Sequence, residues 1–364
     1  MTLDLTHDLA AQGAARRPSP VAGAARRTAA VLAAGLALVV AAAGTGQAAG
    51  TGTATAARQG CDGAAAPATA TAPAAEAAPA VRAGGTAAQR ISFGVTSQLP
   101  IGLWSDAAVT LRTPVSKGTV RLDVTSRGFS TDSLVVQRYD ARSHRWTDLA
   151  TRPGGGSSPT HGVFTFPLTA TGAGPRAPHT VPLRLQDLDR PGTLTVTASV
   201  TDGRGHTYRA PARTTTATRP ATTVGGWPGG TTLRRGGPAH EFTVTVRNTT
   251  NRAYPALTAS YFAYGAGSKH ALAPKDLTLQ QYRAGKGWTK VPLLAGGCDP
   301  GMSATLKAAA ASPLKPGATA VYRLKVSVAR TAPQDVTSAD AGITVGNGDQ
   351  AFASRQLPFA IRAK

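Results

Sequence analysis

The sequence predicts an all-β chain built as two β-sandwiches in tandem. Three observations carry that reading. Apolar and polar residues alternate with period two over several long runs. Gly (41) and Pro (26) punctuate those runs, as many short strands and turns require. Finally, the phrase Leu-x-x-Gln-x-Tyr, then a short polar gap and Trp-Thr, occurs twice, from Leu134 and from Leu277. Successive strand side chains point to opposite faces, so each period-two run has one apolar and one wet face. Such runs, joined by turns, predict antiparallel sheets packed face to face.

The N-terminal residues 1–48 read as a secretory signal peptide. Arg16, Arg17, Arg26 and Arg27 precede an uncharged apolar run over 29–43, and small residues follow through Ala48. That run is shorter than the ~20 residues that span a bilayer comfortably. An uncleaved anchor is the competing reading. Cys61 lies well beyond the apolar run and lacks the Leu expected before a lipid-attachment site. The expectation is a secreted, extracellular chain with no transmembrane span after cleavage.

Residues 49–84 are mostly Ala, Thr, Gly and Pro, with Val81 the one larger aliphatic side chain. Such a segment cannot bury a core and reads as a disordered linker. Ala favours helix, but the interspersed Thr, Gly and Pro oppose it.

Residues 85–217 and 218–364 carry the two sandwiches. In the first, Val120, Leu122 and Val124 alternate with polar residues, as do Leu194, Val196, Ala198 and Val200. In the second, Phe242, Val244 and Val246 do the same, then Tyr322, Leu324, Val326 and Val328. Pro191-Gly192, Asp202-Gly203, Pro316-Gly317 and Asn347-Gly348 are turn signals.

The repeated phrase implies duplication. An offset of 122 lays Thr110-Leu111-Arg112 on Thr232-Leu233-Arg234 and Val120, Leu122, Val124 on Phe242, Val244, Val246. Leu134, Gln137, Tyr139 and Trp146 match Leu277, Gln280, Tyr282 and Trp288, and Leu183-Arg184-Leu185 matches Tyr322-Arg323-Leu324. On this alignment the second copy has about 20 extra residues, and the stretch from Tyr254 to Tyr264 reads as an additional strand. The phrase itself reads as a β-hairpin, with the polar gap from Arg283 to Gly287 as its loop and Trp288 facing Tyr282.

Phe242-Thr-Val-Thr-Val-Arg-Asn248-Thr-Thr, with Leu314-Lys-Pro-Gly317 leading into the strand at Val321, resembles the bacterial immunoglobulin-like repeats of secreted and surface proteins in high-GC Gram-positive bacteria. The resemblance covers most of 225–362. It is weaker over 88–215, where Ser126 replaces the Asn and Pro175-Arg-Ala-Pro178 replaces the turn. It implies seven-to-nine-strand sandwiches serving as spacer, adhesion or polymer-binding modules, and no catalytic residues.

Charge is uneven. The chain carries +21; residues 85–217 hold 15 basic and 8 acidic side chains, and 218–364 hold 18 and 6. A field of that sign attracts anionic polymers. The alternative is a compositional habit of an Ala-, Gly-, Arg- and Pro-rich sequence. Arg247, Arg323 and Lys325 fall at wet positions of long strands, and Arg283, Lys286 and Lys290 surround the second hairpin. Together with Tyr282 and Trp288 they form the candidate ligand-binding strip.

Other motifs give no catalytic reading. Gly346-Asn-Gly348 follows a strand, but the residues after it read as strand and not as the helix a pyrophosphate needs. No His has a metal-type partner at i+2 to i+4. Asp187-Leu-Asp189 lacks the remaining ligands of a calcium loop. Glu occurs only at 76 and 241, so a glycosidase-type pair would rest on Asp. Asn248-Thr-Thr250 spells a glycosylation sequon but sits at a strand end. Cys61 and Cys298 form a disulfide on one reading, in the oxidising exterior, and stay unpaired or bridge two chains on the other.

These readings converge on an exported, monomeric, non-enzymatic protein without cofactors, structural or adhesive at or near the cell wall. Its second domain is expected to bind anionic wall polymer weakly, and no specific nucleic acid. Two alternatives stand: a carbohydrate-binding module using exposed coplanar aromatics, and an enzyme with its site where the domains meet.

Overall fold

The computed structural model describes residues 85–86, 88–296, 301–310 and 312–363. The signal-peptide and linker expectations (1–48 and 49–84), and both members of the Cys61–Cys298 pair, lie outside the described residues.

The first sandwich consists of β1 (Ile91–Val95), β2 (Gln98–Pro100), β3 (Ser105–Leu111), β4 (Gly118–Arg127), β5 (Leu134–Asp140), β6 (Arg145–Asp148), β7 (Thr151–Pro153), β8 (His161–Leu168), β9 (His179–Asp187), β10 (Gly192–Asp202), β11 (Thr207–Arg209) and β12 (Arg213–Thr218). One sheet runs β1-β3-β9-β5-β6. The other runs β2-β12-β10-β4-β8-β7, with β11 also on β10.

The second consists of β13 (Ala221–Gly225), β14 (Thr232–Arg234), β15 (His240–Arg247), β16 (Leu257–Tyr264), β17 (Leu277–Arg283), β18 (Gly287–Val291), β19 (Leu294–Ala295), β20 (Met302–Thr305), β21 (Thr319–Val328), β22 (Ser338–Asn347), β23 (Gln350–Gln356) and β24 (Phe359–Arg362). Its sheets run β13-β15-β21-β17-β18 and β14-β24-β22-β16-β20-β19, with β23 also on β22. Each strand of the first sandwich therefore has a counterpart twelve places later, with the same neighbours. Even the parallel pairs repeat, β2 with β12 and β14 with β24. The fold is two tandem immunoglobulin-like sandwiches. The strands beyond the expected seven to nine are short ladders such as β2, β7 and β11, of three residues each.

This topology corrects the alignment read from the sequence. The offset of 122 lays β4 on β15, but the counterpart of β15 is β3. Tyr254 to Tyr264 is no additional strand: it contains β16, the counterpart of β4. Thr232–Arg234 is β14, the counterpart of β2 and not of the end of β3. The pairing through β9 and β21 also shifts by two residues. Gln137 faces Arg184 and Gln280 faces Lys325, so Arg184 corresponds to Lys325 and Leu183 to Leu324. The reason is physical. Period-two runs match one another at any even offset. Strand β3 is buried at every position but Asp106, so it lacks the alternation that marks β15.

Each core lies between its two sheets. Val120, Leu122, Leu183, Leu194 and Val196 are buried in the first, and Val244, Tyr261, Leu279, Leu324 and Ile343 in the second. The second core also takes in two residues of the first sandwich's β2–β3 loop, Ile101 and Leu103. Tyr254 Oη donates to Ile101 O at 3.0 Å, and Arg252 Nη1 donates to Trp104 O at 2.5 Å. The buried Ile101 carbonyl requires such a partner.

Asn248, wholly buried, explains why the strand ending Val-Arg-Asn accompanies a Leu-x-Pro-Gly turn. Its Nδ2 donates to Leu314 O at 2.9 Å and to Arg252 O at 2.7 Å. Its Oδ1 accepts from Thr250 N and Thr250 Oγ1, and its backbone carbonyl accepts from Gly317 N. Gly317 closes that turn at φ +77°, in the left-handed region that favours glycine. The same burial removes Asn248 as a glycan acceptor. Among the described residues no helix is long and apolar enough to cross a membrane.

Candidate functional site

The repeated phrase folds as a hairpin in both copies. Tyr139 faces Trp146 across β5 and β6, and Tyr282 faces Trp288 across β17 and β18. The rings meet edge to face, with centroids 5.3 Å and 5.6 Å apart. In the second hairpin Arg283 pairs with Gly287, so the loop is Ala284-Gly285-Lys286.

Alternation fixes the outer face of the β13-β15-β21-β17-β18 sheet. Phe242, Val244, Leu324 and Val326 point into the core, so Glu241, Thr243, Thr245 and Arg247 of β15 and Thr319, Val321, Arg323 and Lys325 of β21 point out. Register orders them in rows. One row reads Thr243–Arg323 and continues to Tyr282–Trp288. The next reads Glu241–Lys325–Gln280–Lys290. The Arg323 guanidinium lies 4.5 Å from the Tyr282 ring centroid, and Lys325 Nζ lies 4.4 Å from that of Trp288. Cations over aromatic faces are held by the ring quadrupole.

Five of the eight residues expected in the strip thus come together: Arg323, Lys325, Tyr282, Trp288 and Lys290. The other three do not join them. Arg247 shares the face but stands opposite Thr319, about 13 Å along the strand from Arg323 at the usual rise per residue. Arg283 is one residue past Tyr282 and belongs to the opposite phase. Lys286 sits in the hairpin loop. Glu241 is the one carboxylate among the outward-facing residues of these five strands, and it stands opposite Lys325. A shallow depression of about 310 Å³ opens on this face, between Gly225, Glu241, Thr243, Trp288 and Arg323. Sequence reasoning missed Glu241, Gln280 and Thr243, because only cross-strand register brings them beside the cations.

The matching face of the first sandwich differs in charge. Its row reads Asp106–Arg184–Gln137–Asp148. Arg184 lies between two indoles, 4.3 Å from the centroid of Trp104 and 4.4 Å from that of Trp146. Its Nε donates to Gln137 Oε1 at 2.6 Å, and Gln137 Nε2 donates to Asp148 Oδ1 at 2.7 Å. The second copy has Lys290 where Asp148 stands, Arg323 where Pro182 stands and Ala239 where Trp104 stands.

Elsewhere the titratable groups serve turns. A hollow of about 580 Å³ is lined by Val115, Thr171, Asp202, Arg204, His206 and Tyr208, among others. The Asp202 carboxylate there accepts from Arg204 N and His206 N and meets His206 Nδ1 at 3.1 Å. Asp335 accepts from Lys269 N and His270 N and meets His270 Nδ1 at 2.8 Å; these bonds hold its carboxyl well below the usual range. Asp187 Oδ1 accepts from Asp189 N, closing a turn rather than a calcium loop. Gly346-Asn-Gly348 lies at the β22–β23 hairpin, with Asn347 facing Gln350. Among the described residues no group of three or more His, Cys, Asp or Glu is placed to hold a metal.

No protein-family model and no curated protein sequence matches the chain. Among solved structures, the chain is similar to the C-terminal domain of the Streptococcus pyogenes antigen I/II-family protein AspA, at 10% identity and a TM-score of 0.36, over 75% of this chain and 99% of that one. It is also similar to the C-terminal domain of the Streptococcus agalactiae AgI/II polypeptide BspA, at 12% identity and a TM-score of 0.32, over 74% and 99%. A third similarity is to native E. coli alpha-2-macroglobulin, at 11% identity and a TM-score of 0.27, over 75% of this chain and 17% of that one. Scores of this size carry no conclusion about activity.

Proposed function

We propose that the protein is an exported, non-enzymatic structural or adhesive protein whose second sandwich rests on an anionic polymer of the cell wall. The signal-peptide pattern of residues 1–48 supports export. The observation that carries the binding role is the outer face of the β13-β15-β21-β17-β18 sheet. Arg323, Lys325 and Lys290 cluster there around Trp288 and Tyr282, with Glu241 as the one opposing carboxylate. Exposed cations on a sheet attract a polyanion weakly, and salt screens them.

The geometry disfavours the sugar-stacking alternative. Tyr282 and Trp288 lie at 72° to each other, and their faces are already met by Arg323 and Lys325. A sugar-stacking platform needs two coplanar, uncovered rings.

A pull-down of the protein on purified cell walls tests the proposal. Retention at low salt that falls away at high salt is expected. Release at every salt concentration would eliminate the reading, and salt-insensitive retention would favour sugar stacking.

A further inference from the structure

The two copies differ at one row of this sheet. In the first sandwich the amide of Gln137 bridges a cation and an anion of the same chain. Arg184 Nε donates to its Oε1, and its Nε2 donates to the Asp148 carboxylate. In that row the single cation stands between two carboxylates of the same chain, Asp106 opposite it on β3 and Asp148 beyond Gln137 on β6. In the second sandwich the same amide is Gln280, between Lys325 on β21 and Lys290 on β18. The carboxylate position has become an ammonium. Among the described residues, neither Lys290 nor Gln280 has a polar side-chain partner, and Lys325 has only Trp288 beneath it and Glu241 opposite. Ala239 replaces the second indole, so Lys325 is covered on one side where Arg184 is clamped on two.

We infer that Lys290, Gln280 and Lys325 form an oxyanion subsite, in which one acidic group of an external polymer accepts from the Gln280 amide as Asp148 accepts from Gln137 in the first sandwich. The inference rests on the proposed polymer-binding function and gives it a location. Two ammonium groups on either side of an amide donor suit a singly charged oxygen acid. Hydrogen bonds to an ionised acceptor are shorter and stronger than neutral ones. Trp288 fixes Lys325 from below, so less freedom is lost on binding than for an unsupported lysine. Arg323, one row away beside Tyr282, is placed for a neighbouring acidic group of the same polymer. The shared chemistry is a carboxylate or phosphodiester oxygen on a repeating chain.

The test compares K290D with K315D in the intact protein. Both make the same change in net charge. Lys315 is exposed in the Leu-Lys-Pro-Gly turn, ten residues before Lys325 and ahead of the start of β21. Binding is measured at low salt to two soluble probes, a poly(glycerol phosphate) and a polyuronate. K290D recreates the carboxylate that Gln137 meets in the first copy, so it is expected to fold without loss of thermal stability. It is expected to lose roughly tenfold in affinity, the scale of reversing one exposed, salt-screened charge pair. K315D should lose much less. Whichever polymer shows that contrast identifies phosphate or carboxylate as the source. Equal losses from K290D and K315D would overturn the subsite while leaving a diffuse cationic field. No binding of either probe by the unmodified chain would overturn the parent reading, and the subsite with it.

Discussion

Lys325 holds its ammonium nitrogen 4.4 Å from the ring centroid of Trp288. Its counterpart Arg184 holds the guanidinium carbon 4.4 Å from the centroid of Trp146. The two sandwiches thus share a cation-on-indole contact at one sheet position, built from different cations. Trp288 also meets Tyr282 edge to face. A cation–π contact near the surface contributes about 0.5–1 kcal/mol, and an aromatic pair adds about 0.5–1.5 kcal/mol. Trp288→Ala is therefore expected to destabilise the second sandwich by about 1–2 kcal/mol in urea titration. Lys325→Met, which keeps the stem over the ring, should cost less than about 1 kcal/mol. A neutral W288A would mean that the ring is not packed as described.

The junction gives a second prediction. Ile101 belongs to the first sandwich by sequence, yet it is fully buried in the core of the second. Truncating such a side chain typically costs about 2–5 kcal/mol. Ile101→Ala should fall in that range, and the loss should appear in the fluorescence of Trp227 and Trp288, both in the second sandwich. Tyr254→Phe leaves the Ile101 carbonyl without its donor and should cost about 1–3 kcal/mol. Unchanged second-sandwich fluorescence in I101A would show that the loop does not complete that core.

Most of the fold was legible and part of the site was not, for one reason. Period-two alternation states which face of a strand is wet, as at Phe242, Val244 and Val246, so the sandwich class and the inward residues could be read directly. The hairpin was legible because its partners, Tyr282 and Trp288, are close in sequence. Alternation does not state which strand lies beside which. Glu241, Gln280 and Lys325 are neighbours only through the β15-β21-β17 order, and their sequence separations hide it. Trp104 was invisible for a further reason: it reaches Arg184 from a loop, where no periodicity operates.

A third prediction concerns Asn248. It makes four side-chain hydrogen bonds from a fully buried position, tying the end of β15 to the turn before β21. Asn248→Ala leaves the Leu314 and Arg252 carbonyls and the Thr250 amide without these partners. The Leu314 carbonyl keeps its bond from Tyr254 N and the Arg252 carbonyl its bond from Thr250 Oγ1, so the orphaned group is the Thr250 amide, at about 1–3 kcal/mol, and the other lost bonds add about 0.5–1.5 kcal/mol each. A loss of about 2–4 kcal/mol is expected by thermal or chemical unfolding. Asn248→Asp, protonated at acidic pH, keeps the acceptor and one donor and loses one donated bond, so it should lie between wild type and alanine there. A variant as stable as wild type would show that the turn holds without its amide clamp.

The last prediction is a pH dependence with a definite sign. Asp187 ends β9 fully buried; Oδ1 accepts from Asp189 N at 3.0 Å, and Oδ2 has no partner among the described residues. Burial pushes this carboxyl up from 3.8 to about 6. The folded chain therefore keeps a proton that the unfolded chain has released between those two values. Its contribution to stability is complete below about pH 4 and declines as pH rises through about 6, after which the penalty is constant. The scale of the whole change is about 3 kcal/mol. Asp187→Asn retains an acceptor for Asp189 and cannot ionise. It should match wild type near pH 4 and exceed it in stability at pH 7. Asp335 acts in the opposite sense, because its lowered pKa stabilises the fold above the ordinary carboxylate range and is lost as pH falls. The difference between D187N and wild type cancels that background, so the contribution of Asp187 is read from unfolding curves at the two pH values. An equal or smaller advantage of D187N at pH 7 than at pH 4 would show that Asp187 ionises in the fold without penalty, and so is less enclosed than its surroundings indicate.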